Sequence, residues 1–213
     1  MNKNRSIQIH SGRGCCGNHL RWLLLMDNKF TIFHAATIEE KQQYILNEVY
    51  PESRNCRNWL LYEFKFRFAL NSDIVFTHTG WHGKWERNSG LWQHPYNLFL
   101  YSTNTELIYN LYNKFFVNKW SETLEQFAAE AERERQEAIL CAQKYTGIII
   151  DTVDLYQPIL NQELYNRIIN FCGLDNNYDA CNIIHQQWYR RHQASGPCTD
   201  PGPLLIPYVG EHY

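Results

Sequence analysis

Three glycines within six residues, Gly12, Gly14 and Gly17, form the stretch with the clearest chemical signature. They follow a short apolar alternation and precede an apolar run at residues 20–26, an order that predicts a strand, a glycine-rich turn and a helix. Glycine lets backbone N–H groups approach a phosphate, and a helix N-terminus carries about half a positive charge. The predicted anion-binding loop comprises Gly12, Arg13, Gly14, Cys15, Cys16, Gly17, Asn18 and His19.

The spacing Gly12-x4-Gly17 is that of a P-loop, but the two residues that follow differ from those of a nucleoside triphosphatase. Asn18 and His19 stand where Lys and Ser or Thr are expected. Arg13 is the residue able to supply the missing positive charge. The loop therefore predicts phosphate binding without ordinary ATP hydrolysis, and a purely structural turn is the alternative.

Two further polar clusters directly follow predicted strands. His78 ends the apolar stretch 73–78, and its ordinary pKa near 6.5 would suit a general base that takes a proton from a hydroxyl. Ser102, Thr103 and Asn104 follow the apolar stretch 97–101 and either bind an anion or cap the next helix. A structural histidine is the alternative interpretation of His78.

Residue types that ligate metals also occur near the loop, but their spacing matches no standard zinc pattern. They are His10, Cys15, Cys16, His19, His78 and His82. Adjacent cysteines are also poorly placed to chelate one ion. We therefore predict no metal.

These residues need a scaffold, and the order of predicted elements supplies one. Strands are predicted at 30–34, 73–78, 97–101 and 147–151, besides the first one at Ile7 and Ile9. Helices are predicted at 37–50, 57–68, 121–143 and 178–192, with others starting at Thr103 and at Asn161 or Gln162. Thr37-x-x-Glu40 and Thr103-x-x-Glu106 predict capping boxes at two helix starts, and Gly173 predicts the end of the helix that starts near Asn161. The acid–base stretch AAEAERERQEA within 121–143 predicts a solvated helix face. Alternating strands and helices predict an α/β fold: a central parallel sheet with helices on both faces, in three layers. Ligands of such sheets bind at the carboxyl ends of the strands, where the three polar clusters would converge.

Composition narrows the class of protein. The chain is 44% hydrophobic, which predicts that it folds, and its 213 residues suffice for one domain, predicted over 1–195. The proline-rich stretch 196–213 predicts an irregular tail. A net charge of −2 argues against a nucleic-acid partner, and no apolar run is long enough for a membrane span. Seven scattered cysteines and no signal-peptide pattern predict a cytoplasmic protein. Monomer and homo-oligomer both remain open.

Three blocks, taken in order, resemble the sulfotransferase family, whose P-loop fold binds 3′-phosphoadenosine 5′-phosphosulfate (PAPS). GRGCCGNHLRWLL is similar to the loop that holds the 5′-phosphosulfate. DIVFTHTGW resembles the strand whose Thr-His ending carries the catalytic base, and NLFLYSTNTELIYNLYNKF resembles the unit that grips the 3′-phosphate. GIIIDTVDLYQPILNQELYNRIINFCGL is also similar to the last strand and helix of the family. Together these blocks cover most of the predicted domain.

The resemblance implies a short, divergent member of bacterial or phage type that transfers a sulfuryl group from PAPS to a hydroxyl or amine. His78 would be the catalytic base, Arg13 the catalytic cation, and Ser102 and Asn110 ligands of the 3′-phosphate. Trp81, His82 and Trp85 would form a wall for a small-molecule or carbohydrate acceptor. The chain departs from the family where Ser102 replaces an arginine and where the loop lacks a lysine. These departures keep two alternatives open: a non-catalytic binding or assembly protein, and a kinase-like or triphosphatase-like P-loop protein.

Overall fold

In the described residues, a four-stranded parallel sheet forms the centre of the fold. The computed structural model describes residues 7–50, 74–78, 95–116 and 123–194. The strands β1 (Ile7–Ser11), β2 (Ile74–His78), β3 (Tyr96–Tyr101) and β4 (Gly147–Asp151) are arranged in the order β2-β1-β3-β4. The prediction of a parallel α/β sheet is confirmed.

The register brings the predicted polar clusters to the same edge of the sheet. Ser11 pairs with His78 on one side and with Leu100 on the other, and Tyr101 pairs with Asp151. The chain moves from β1 to β2 on one side, then crosses to β3 on the opposite side of β1. Ligands of open parallel sheets bind at such a switch point, outside the carboxyl ends of the two strands.

One face of the sheet carries the main apolar core. Side chains at alternate positions of three strands point to this face: Ile7, Ile9, Leu98, Leu100 and Ile150. They form one cluster with side chains of the helices α1 (Gly17–Leu24), α6 (Gln162–Cys172) and α7 (Tyr178–Ala194). The helix α2 (Ile38–Tyr44) continues as a π-helical segment at Ile45–Val49 and packs against α7.

The opposite face is more polar and is covered by one long helix. Here β1 presents Gln8 and His10, and β3 presents Asn97 and Phe99, all buried. The ring of His10 stacks on Phe99 with centroids 4.6 Å apart, and its Nε2 lies 3.2 Å from Asn97 Oδ1. The helix α4 (Leu124–Lys144) packs on β3 and β4, and α3 (Thr105–Phe116) packs beside α4. The described elements therefore lie in three layers.

Local capping explains several helix ends. The capping box of Thr37 and Glu40 is present as predicted, and a second box of Thr123 and Gln126 starts α4. Asn161 caps α6, and Gly173 ends it in the left-handed conformation at φ 63°. A short helix, α5 (Thr152–Leu155), follows β4 directly because Asp151 accepts from the Val153 N–H.

Two sequence-based expectations are wrong. Residues 30–34 form no strand: Ile32 makes one bridge with Ala35, and Phe33 turns the chain at φ 52°. The stretch pairs back on itself, and among the described strands none pairs with it. The capping box of Thr103 and Glu106 is also absent, because Thr103 bonds to Asp151 and α3 starts one residue after Asn104.

Some expectations lie outside the described residues. They concern the helix at 57–68, the acceptor wall of Trp81, His82 and Trp85, and the tail at 196–213. Within the parts of the chain that the structure describes, no helix combines the length and apolar character needed to cross a bilayer.

Candidate functional site

The glycine loop connects β1 to α1 at the predicted place. Three hydrogen bonds of its backbone hold it in position. The Gly12 N–H donates to Leu100 O of β3 at 3.3 Å, and the Cys15 N–H donates back to Gly12 O at 3.3 Å. The Thr152 hydroxyl donates to Cys15 O at 3.3 Å, which ties the loop to α5. The loop is therefore a turn whose position is set by β3 and by the start of α5.

The backbone of the loop alternates in handedness. Gly14 has φ 74° and Cys16 has φ 60°, whereas Cys15 between them has a negative φ. Such alternation can turn successive N–H groups toward one point and form an anion-binding concavity. Glycine is required at position 14, since a Cβ there would collide with the backbone oxygen of Ile108. Cys16 adopts a conformation that ordinarily costs a non-glycine residue about 1 kcal/mol.

The first turn of α1 is the positive end of this site. Within the described part of the chain no side chain caps this helix, whose N-cap residue is Cys16. Asn18 is 9% exposed, and its amide makes no hydrogen bond within the described residues. The uncapped turn thus offers backbone donors, and Asn18 stands where a P-loop has its lysine.

The two loop cysteines differ in burial, since Cys15 is buried and Cys16 is partly exposed. Burial raises the pKa of the Cys15 thiol far above its ordinary value, and nearby Glu134 and Asp151 add to the rise. Burial therefore favours the neutral thiol of Cys15, the less nucleophilic form. Cys16 is partly buried, and its Sγ lies 3.7 Å from Gly14 O.

The ring of His19 faces away from the glycine loop and into the core. It stacks on Trp188 of α7 with centroids 3.8 Å apart and planes 2° from parallel. Its ring nitrogens lie 3.2 Å from Tyr50 Oη and 3.0 Å from His185 Nδ1. Only the backbone N–H of His19 therefore belongs to the loop, and its side chain anchors α1 to α7.

The side chain of Arg13 is also buried, between α3 and α4. Its guanidinium carbon lies 4.7 Å from the centre of the Phe127 ring and 5.7 Å from that of Tyr112. Its Nε lies 3.9 Å from Glu134 Oε1, which makes an ion pair too long for a hydrogen bond. The positive charge that sequence reasoning assigned to the loop is thus held on aromatic rings beside a carboxylate.

Glu134 is a residue of this site that sequence reasoning missed. It is only 4% exposed, whereas the charge pattern of its segment predicted a solvated face. The missed signal is helical spacing: Phe127, Ala131, Glu134 and Ala138 follow one another at intervals of three or four and form the buried side of α4. A carboxylate on the apolar side of an amphipathic helix is costly unless a partner is near.

At the end of β3, the polar residues mainly bond to one another. The Ser102 hydroxyl accepts from the Asn104 N–H at 3.1 Å, and Asn104 caps α3 by accepting from Leu107 at 2.9 Å. Thr103 donates its hydroxyl hydrogen to Asp151 Oδ2 at 2.6 Å. Asn110 is exposed on α3, beyond the first turn of the helix. Of the two interpretations of this cluster, anion binding and helix capping, its hydrogen bonds agree with helix capping.

Backbone position relates His78 to the loop. His78 is the last residue of β2, and Ser11, its register partner, is followed directly by Gly12. The loop, His78 and Ser102 therefore lie at one edge of the sheet, while Asn110 lies further along α3. Within the described ranges, no group of three or more His, Cys, Asp and Glu residues is placed to hold a metal ion.

Comparisons of the chain with protein-family models, with curated proteins and with solved structures found no match.

Proposed function

We propose that the chain is a sulfuryl-transfer enzyme of the sulfotransferase type, with PAPS as donor and a hydroxyl or amine as acceptor. One observation carries the proposal: a glycine loop follows the central strand β1 at the switch point of a parallel sheet, and the neighbouring strand ends in Thr77 and His78. The loop supplies donors for the phosphosulfate, and the strand end supplies a candidate base.

The residues of the loop fit the 5′-phosphosulfate. The alternating φ at Gly14 and Cys16 is a backbone geometry that can form an anion-binding concavity, and the first turn of α1 adds helix N-terminal donors. Asn18 adds a side-chain amide at the entrance of the helix. For the 3′-phosphate the fit is weaker, because the Ser102 hydroxyl already bonds within its own turn.

In the proposed reaction the acceptor oxygen or nitrogen attacks sulfur while the bond between sulfur and the bridging phosphate oxygen breaks. The proton of the acceptor passes to His78, and adenosine 3′,5′-bisphosphate leaves. Positioning and charge neutralisation dominate this kind of transfer, as they do in phosphoryl transfer. The loop amides hold the leaving phosphate.

A second function is favoured by the position of Arg13. Its guanidinium packs on Phe127 and Tyr112 and faces Glu134, and the loop contains no lysine. A protein that keeps the nucleotide-binding loop but does not transfer the sulfuryl group would bind adenosine 3′,5′-bisphosphate without turning over PAPS. A kinase-like or triphosphatase-like protein would instead bind ATP with magnesium.

Calorimetric titration with adenosine 3′,5′-bisphosphate, and separately with ATP and magnesium, distinguishes these functions. We expect the bisphosphate to bind and ATP not to bind. With a panel of hydroxyl and amine acceptors, transfer from labelled PAPS should be lost in His78→Ala and retained in His34→Ala, since His34 is exposed outside the site. Bisphosphate binding without turnover would favour the binding protein, and equal turnover by His78→Ala would exclude His78 as the base.

A further inference from the structure

The carboxylate of Glu134 lies directly against the start of the glycine loop. A Cβ built on Gly12 would lie 2.8 Å from Glu134 Oε2, so the carboxylate fills the space that a side chain at position 12 would occupy. The backbone N–H of Arg13 donates a hydrogen bond to this carboxylate. Glu134 thus engages an amide of the loop that is proposed to bind an anion.

The other oxygen of the carboxylate is poorly satisfied. Glu134 Oε1 is buried and accepts no hydrogen bond within the described residues, and Arg13 Nε lies 3.9 Å from it. An ionised carboxylate in this position is therefore incompletely compensated. Burial raises the pKa of Glu134 to about 7, while the charge and the N–H of Arg13 oppose the rise.

Charged and titratable groups around Glu134 come from several elements. Arg13 and Cys15 face it from the loop, and Glu130 and Arg133 lie near it on α4.

The side chain of Tyr112 on α3 packs against Arg13, and His10 of β1 is buried on the sheet face that α4 covers. Tyr101 and Asp151, at the ends of β3 and β4, lie near Arg135. Among these groups Arg13 is the one that most opposes the rise in the pKa of Glu134.

We propose that the glycine loop binds its phosphate- or sulfate-bearing ligand together with a proton, which Glu134 takes up. The inference rests on the proposed anion binding at the loop. A ligand with negative charge would lie close to a buried carboxylate that water screens poorly, and protonation of the carboxylate removes their repulsion. By linkage, the ligand and the proton each strengthen the binding of the other.

The linkage has a definite sign. At a pH above the pKa of Glu134, the carboxylate of the free protein is ionised, so binding of the ligand must take up a proton from solution. The affinity for the ligand therefore falls as the pH rises. If the ligand raises this pKa by one unit, affinity should fall about fivefold between about pH 6 and about pH 8. The phosphate groups of a nucleotide also titrate in this range, so the contribution of Glu134 is the difference between the protein and its Glu134→Gln variant.

Calorimetry measures that difference. Adenosine 3′,5′-bisphosphate is titrated near neutral pH in two buffers with different enthalpies of ionisation, which gives the number of protons taken up. We expect uptake to be smaller in Glu134→Gln and unchanged in Glu125→Gln, a matched substitution at an exposed site on the same helix. Equal uptake in all three proteins overturns the linkage and leaves the proposed function intact. If the protein binds no bisphosphate at any pH, the proposed function fails and the linkage falls with it.

A second measurement needs no variant that might fold poorly. Glutamate labelled with carbon-13 at the side-chain carboxyl reports its titration by NMR, and inorganic sulfate is a probe that does not itself titrate near neutral pH. We expect one buried carboxyl signal with a midpoint near pH 7 in sodium chloride, and a higher midpoint in sodium sulfate of equal ionic strength. A midpoint that stays in place or moves down would overturn the proposal.

Discussion

His19 of α1 and His185 of α7 share a hydrogen bond of 3.0 Å in the interior of the protein. His185 Nε2 lies 2.7 Å from Gln157 O, and because a carbonyl oxygen only accepts, Nε2 carries the hydrogen. His185 Nδ1 then accepts from His19 Nε2–H, and His19 Nδ1 accepts from the Tyr50 hydroxyl. This arrangement requires both rings to be neutral, so the first turn after the glycine loop is anchored by a contact sensitive to acid.

Acid should destabilise the fold through these histidines. Burial lowers the pKa of His185 to about 4, and burial with its two histidine neighbours lowers that of His19 as well. Because the unfolded chain binds these protons more readily, the stabilisation is complete above the unfolded pKa near 6.5 and is lost as the pH falls below it. His185 alone should cost about 2 kcal/mol of unfolding free energy between about pH 7.5 and about pH 5.

Urea denaturation at several pH values measures this loss. The variant His185→Gln should be less stable at neutral pH but should lose less on acidification. His34→Gln, at an exposed position, should keep the acid sensitivity of the unmodified chain. If the unfolding free energy of His185→Gln fell as steeply on acidification as that of the unmodified chain, the acid sensitivity would not come from this contact.

Gly14→Ala should be much more destabilising than Gly173→Ala. Both glycines have a positive φ, so alanine costs about 1 kcal/mol of backbone strain at either position. At Gly14 the new Cβ would also collide with Ile108 O, whereas at Gly173 the nearest atom is Tyr96 Oη at 4.0 Å. We expect about 3 kcal/mol or more at Gly14 and about 1 kcal/mol at Gly173 from the midpoints of chemical denaturation. Equal losses would show that the contact with Ile108 relaxes freely.

A double-mutant cycle should reveal the contact between Gly12 and Glu134. The substitution Gly12→Ala places a Cβ 2.8 Å from the carboxylate and should force the side chain of Glu134 to move. The substitution Glu134→Ala removes that obstacle, so Gly12→Ala should cost less in its presence. We expect a coupling free energy of about 1 kcal/mol in unfolding measurements. Strictly additive losses would mean that the two residues are not in contact.

Asp151→Asn should loosen the turn at the end of β3. Asp151 accepts the Thr103 hydroxyl hydrogen at 2.6 Å and also accepts the Val153 N–H that starts α5. Both oxygens of the carboxylate accept hydrogen bonds, whereas a side-chain amide accepts only through its oxygen. One of these bonds therefore weakens, at a cost of about 1 kcal/mol of unfolding free energy at this half-buried position. Asp154→Asn, at an exposed position on the same segment, is the control for loss of charge in thermal unfolding. A loss as large in Asp154→Asn would assign the effect to charge alone.

Patterns that are local in the sequence determined most of the described strands and helix ends of this protein. Alternating apolar strands, the Thr37 capping box and the C-terminal Gly173 of α6 depend on neighbouring residues, so the sequence predicted them correctly. The strand expected at 30–34 and the capping box expected at Thr103 were wrong because other partners decided them: Ile32 bridges with Ala35, and Asp151 accepts the hydroxyl hydrogen of Thr103. Local propensity is overridden where a distant group satisfies the same backbone or hydroxyl.

The composition of the glycine loop was readable from the sequence, but the directions of its side chains were not. Gly12, Gly14 and Gly17 identified the turn because glycine leaves a backbone signature. Whether Arg13 and His19 face a ligand or the core depends on Phe127, Glu134 and Trp188, which lie more than a hundred positions away in the sequence. Only tertiary packing brings these groups together, since it places α4 on one face of the sheet and α7 on the other. The sequence alone thus predicted where an anion could bind, and the fold decided which side chains surround it.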